Sequence, residues 1–191
     1  MIAATVSDGV EYGPLAALVG TWKGDKGVDL APEPDGDERN PYYETIEFIA
    51  AGDVTNAEEQ PLSIVRYHEV VRRKSNDELF HDQVVYWLWD PADDTLVESF
   101  TIPRGVAAGG KLAQPVDLSG ELVFEVAAEA GADEFGVIQA PFMFNKARTT
   151  GFSHTITVQG DEMRHSQSTV LEIYDKHSYD HKDVNTQHRI S

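Results

Sequence analysis

The chain has no cysteine, which excludes disulfides, thiolate metal sites and thiol nucleophiles together. Basic residues are scarce: 15 Lys and Arg stand against 33 Asp and Glu, a formal net charge of -18. A surface that negative repels phosphate backbones and anionic bilayers, so neither nucleic acid nor a membrane is expected as a partner. No apolar run nears the roughly 20 residues of a membrane-spanning helix. Met1 to Asp8 carries neither basic residues nor an export-type apolar stretch, and the expected address is the cytoplasm. A hydrolase triad, a phosphate loop and a zinc-finger spacing are missing as well.

What remains is period-two alternation. Glu44 to Ile49, Leu62 to Val71, His81 to Trp89, Thr95 to Ile102, Leu118 to Ala128, Thr150 to Gln159 and Glu162 to Ile173 read as strands. Asp90-Pro91, Asp93-Asp94 and Pro103-Arg104-Gly105 punctuate them, and Gly160-Asp161 makes a tight hairpin turn. Helix is expected only over Pro14 to Val19 and near Glu129 to Ala132. Short turns between strands imply antiparallel neighbours, and closure removes the two exposed edges. The expectation is an all-β chain: one domain over 1–191, a single antiparallel up-and-down β-barrel of about ten strands with a short N-terminal helix. An N-terminal arm covers 1–13, and 31–41, 53–61 and 131–149 read as long loops.

The first strand contains Gly20-Thr21-Trp22-Lys23-Gly24, and the next glycine is Gly27. Further on stand Tyr42-Tyr43-Glu44, Gln60-Pro61-Leu62, His81-Asp82-Gln83-Val84-Val85-Tyr86-Trp87 and Pro103-Arg104-Gly105. In order and spacing these pieces resemble the nitrobindin family, heme-binding β-barrels shaped like fatty-acid-binding proteins. The family's Gly-x-Trp-x-Gly-x-Gly opening is matched except that its last glycine falls one residue late, at Gly27. The resemblance implies ferric heme b held by one histidine near the C-terminus, with nitric oxide binding or peroxynitrite isomerisation as its chemistry. His181, eight positions before Arg189, is the matching imidazole, although Lys182, Asp183, Asn185 and Gln187 replace the apolar residues that usually follow. His81 matches a position on the distal side of the heme. For Trp22 two roles stand: contact with the cofactor, and closure of the barrel under the Arg189 guanidinium.

If His181 binds iron, its second ring nitrogen needs an acceptor, for which Asp180, Asp183 or a loop carbonyl would serve. His177, His181 and His188 with Asp180 and Asp183 also suggest a porphyrin-free zinc or nickel site. His154 and His165, at nearly equal distances from the Gly160-Asp161 turn, are a weaker metal hint and read rather as ordinary neighbouring strand positions, and His68 reads as a satisfied barrel residue. The apolar stretch Ala140-Pro141-Phe142-Met143-Phe144 either covers the barrel mouth or plugs a cavity. A rival reading is a non-enzymatic carrier of a fatty-acid-like small molecule, with Arg66, Arg72 or Arg148 meeting its carboxylate. A third is a filled barrel acting through its surface or as a homodimer.

Overall fold

The computed structural model describes residues 6–112 and 116–191. Of the expected N-terminal arm, residues 1–5 lie outside the described residues. The remainder forms a two-stranded hairpin, β1 (Val6–Ser7) and β2 (Val10–Glu11), followed by a 3-10 turn over Gly13–Ala17.

Eleven strands then build one antiparallel sheet. They are β3 (Gly20–Glu33), β4 (Gly36–Asn56), β5 (Gln60–Arg73), β6 (Leu79–Asp90), β7 (Thr95–Ile102), β8 (Val106–Lys111), β9 (Leu122–Glu129), β10 (Val137–Gln139), β11 (Ala147–Gln159), β12 (Glu162–Ile173) and β13 (Lys176–Arg189). Their order is β10-β8-β7-β6-β5-β4-β3-β13-β12-β11-β9. The first strand of the series therefore pairs with the last, β3 against β13, and a bridge from Leu112 to Val126 brings β8 to β9. The result is the expected antiparallel barrel, nearly closed.

Alternation explains the wall. In β9, Leu122, Phe124, Val126 and Ala128 point inward and the residues between them face solvent. Trp22, Val65, Trp87, Phe124, Ile156 and Met163 meet inside one end, each 2 % exposed or less. Leu15 and Leu18 from the 3-10 segment close that end and are fully buried. The Trp22 indole donates to the Leu18 carbonyl at 2.8 Å. Arg189 lies 4.1 Å above the Trp22 ring and donates to the carbonyls of Ala17 and Val19. This end is packed solid.

The late glycine of the opening motif has a structural cause. Gly24 pairs with Glu44 but Gly27 pairs with Tyr42, so β3 carries one extra residue at a bulge. The space a Cβ at Gly27 would need is filled by the Tyr42 ring. The bulge sets Gly27 against the Tyr42 ring.

Several expected loops are corrected. Residues 31–41 form the tip of the β3–β4 ribbon, with Glu33 paired to Gly36. The 53–61 loop shrinks to a turn between Asn56 and Gln60, which pair with each other. Both ribbons project past the core with mostly exposed residues, so no apolar alternation marked them as strands. The 131–149 segment is irregular over 131–136, and then holds β10, a short helix, α1 (Pro141–Lys146), and the start of β11. Residues Glu129 to Ala132 make a turn rather than a helix. The helix starts instead at Pro141, whose fixed φ suits a first helical position.

Candidate functional site

The end opposite the tryptophan cluster is hollow. A cavity of about 330 Å³ opens there, with apolar walls from Phe80, Phe100, Ile102, Phe152, Leu171 and Met143. That is within the range of small-ligand sites. Two imidazoles reach it, His81 from β6 and His181 from β13, strands separated by three others in the sheet. A larger hollow of about 700 Å³, beside β7, β8 and the 131–138 segment, has no histidine in its lining.

His181 is partly buried, and its Nε2 lies 2.5 Å from Asp29 Oδ1. Asp29 is 5 % exposed, so the carboxylate is held inside the wall of β3 and fixes the ring. The alternatives raised for this role are engaged elsewhere. Asp180 faces Ser168 and Lys182 on the outside, whereas Asp183 accepts the Tyr42 hydroxyl. Burial and the Glu44 carboxylate push Asp183 up to about 7. Asp29 lacked any signal in the chain: only the β3–β13 pairing, which sets Asp29 opposite Asp183 and next to His181, brings it to the ring. His81 contacts Gln83 at 3.3 Å. Burial, partly opposed by that hydrogen bond, holds its pKa below the usual imidazole range.

Trp22 is absent from the cavity lining. Its contact with the cofactor is therefore corrected: it belongs to the plugged end with Arg189. Alternation puts inward residues of one strand at different depths, and Trp22 sits seven positions down β3 from Asp29, a rise of roughly 23 Å. His177 and His188 are exposed and do not join His181, because an extended β13 spreads them along its length. His68 lies on the outer face, 2.9 Å from Asp82. The arginines of the carrier reading miss the cavity too: Arg66 is exposed, Arg72 donates to the Asp77 carbonyl, and Arg148 faces Glu172 and the Phe144 ring. Arg73 and Arg104 line the cavity instead. Met143 of α1 also reaches it, while Phe142 and Phe144 remain exposed.

Between the hollow and the plug runs a belt of buried polar groups. His154 Nδ1 lies 2.6 Å from Glu98 Oε1, both side chains 1 % exposed. The His154 and His165 rings meet edge to face at 4.8 Å, two positions apart in register across β11 and β12. Glu44, Glu69 and Gln83 complete much of the belt.

A family model described as the THAP4-like, heme-binding β-barrel domain matches residues 11–185. The chain belongs to the nitrobindin family. The crystal structure of Rv2717c from M. tuberculosis superposes on this nitrobindin-family chain with a TM-score of 0.67 at 16 % identity. The alignment covers 93 % of this chain and 95 % of that one, so the two share a fold. No curated protein matches the sequence. Among the described residues no helix is long and apolar enough to cross a membrane.

The family is a heme-binding one, and the residues at the hollow end suit a heme. A buried carboxylate holds one nitrogen of His181 and leaves the other for iron, the arrangement by which proteins orient metal-binding imidazoles. Phe80, Phe100, Ile102, Phe152 and Leu171 supply apolar wall, and Glu33 and Glu38 stand among the polar residues of the lining. Arg73, 5.2 Å from the Phe80 ring, has a buried Nε without a hydrogen-bond partner. With Arg104 it provides guanidiniums of the kind that take carboxylates such as propionates.

Proposed function

We propose that the protein binds ferric heme b in the hollow end, with His181 as the iron ligand and Asp29 orienting its ring. The heme so held would supply iron chemistry toward small ligands such as nitric oxide or peroxynitrite. His81 lines the same cavity and would offer a hydrogen bond to a small ligand held there. Burial keeps its imidazole neutral at neutral pH, so it carries both a donor and an acceptor nitrogen. Phe100, Ile102 and Phe152 exclude water from the pocket floor, and Arg73 and Arg104 anchor acidic groups at its mouth. The observation that carries this reading is the His181–Asp29 pair at the wall of a cavity lined by both apolar and polar side chains.

Hemin titration tests it. The wild-type chain should develop a sharp Soret band at one heme per chain, and His181→Ala should lose that band while retaining its far-UV circular dichroism. Equal hemin spectra for wild type and variant would refute the assignment. Stopped-flow decay of peroxynitrite with nitrate as product, in the heme-loaded chain, then tests the chemistry.

A further inference from the structure

The buried belt below the cavity contains a second constellation that the heme reading does not use. Glu44, Glu69 and His165 each present one ligand-type atom, and the three atoms lie within 4.8 Å of one another. All three residues are at least 96 % buried by exposure values of 2 %, 2 % and 4 %. Neither ring nitrogen of His165 has a hydrogen-bond partner, nor does Oε2 of Glu44. An imidazole with both nitrogens orphaned in a barrel interior is costly unless something else meets it.

We infer that Glu44, Glu69 and His165 bind one divalent first-row transition cation, zinc being the simplest. Two carboxylate oxygens and one imidazole nitrogen are a common donor set for such ions, and no thiolate is needed. The dication neutralises two carboxylates that otherwise share a dry interior. Without it, burial pushes both Glu44 and Glu69 up, and their mutual repulsion raises Glu69 further. Burial, reinforced by His154, holds His165 well below the usual imidazole range, and the neutral ring is the form that binds metal.

The surroundings are arranged as a supporting shell. Glu44 Oε1 accepts amide donors from Asn185, at 2.9 Å, and from Gln187, which orients the carboxylate and leaves Oε2 free. His154, braced by Glu98, packs against the His165 ring, and its own Nε2 has no partner. Ligand atoms around an ion with bonds of about 2.1 Å stand roughly 3.4 Å apart, so modest side-chain rotation closes the site. Glu69 pairs in register with Gln83, a residue that also lines the cavity, and this is the side from which an ion would enter. The site shares no ligand with His181 and stands whether or not heme binds.

Zinc binding to the full chain, read by competition with a chromophoric chelator and by zinc content after gel filtration, tests this. The expected result is one tightly held zinc per chain in wild type and in His181→Ala. Glu69→Gln, which preserves shape and hydrogen bonding, should weaken zinc by at least about 100-fold through loss of a direct ligand. Zinc X-ray absorption on the unmutated chain, which needs no folded variant, should show nitrogen and oxygen ligands including one imidazole. Zinc held equally well by Glu69→Gln would assign binding to other residues, zinc lost in His181→Ala would assign it to the cavity, and either result would overturn the site. Wild type that retains no zinc, with Glu69→Gln raising thermal stability, would show a carboxyl pair sharing a proton instead, and would also overturn it.

Discussion

The two ends of this barrel are made from the same strands but obey different rules. At the plugged end, Trp22, Trp87, Phe124, Ile156 and Met163 fill the lumen and the 3-10 segment seals it. At the other end the same alternation leaves a hollow where apolar side chains share the wall with polar ones, among them His81, His181, Arg73, Arg104, Asp29 and Asp183. Barrels of this width either fill with side chains or hold one small ligand; this one does both, at different depths. Stability and ligand holding are thereby separated along the barrel axis, and substitutions should sort accordingly.

The largest effect is expected from Trp22→Ala. Emptying this position should cost about 3–5 kcal/mol in chemical denaturation, with hemin affinity of the folded fraction nearly unchanged. A mild loss would mean that the plug is not the keystone of the fold. The mirror experiment is Asp29→Ala, which should leave denaturation midpoints close to wild type. It should weaken hemin about 10–100-fold, as removal of a carboxylate behind a metal-binding imidazole does; unaltered affinity would detach Asp29 from the site. Gly27→Ala sits between the two regions. Its methyl meets the Tyr42 ring, and overpacking of this kind costs about 1–3 kcal/mol. Because Tyr42 donates to Asp183 in the cavity wall, hemin binding should weaken in parallel, and a stability loss without that change would uncouple the ends. Arg66→Ala, on the outer face, should move both measures least, by less than about 0.5 kcal/mol in stability.

The plugged end was legible in the sequence because its signals are local. Strand alternation, the Gly-x-Trp-x-Gly opening and the Asp-Pro stop of β6 each follow from a few adjacent residues. Trp22 and Arg189 were also joined in advance, through the resemblance and the known preference of guanidinium for indole. The hollow end was legible only in part. His181 and His81 both line the cavity. The partner of His181 was not found, since Asp29 and His181 are 152 residues apart and only barrel closure makes them neighbours. For the same reason the carrier reading chose the wrong arginines: one step along a strand reverses the face, so Arg72 and Arg73 have different fates. His154 and His165 were recognised as neighbours, but Glu44 and Glu69 come from other strands and had no signal linking them to the pair. The Pro- and acid-rich ribbons at 31–41 and 53–61 misled because a strand solvated on both faces has no hydrophobic rhythm.

The pairing of β3 with β13 carries one more implication, for assembly. Both the Asp29–His181 contact and the Arg189–Trp22 contact bridge the first and last strands of the barrel. Contacts of such long sequence separation form late and slowly. On a ribosome, therefore, neither the Arg189–Trp22 seal nor the Asp29–His181 contact can exist until β13 has emerged. A nascent chain stalled before β13 would present a curved, unfinished sheet with no hold on the cofactor, so cofactor capture itself would report completion of folding.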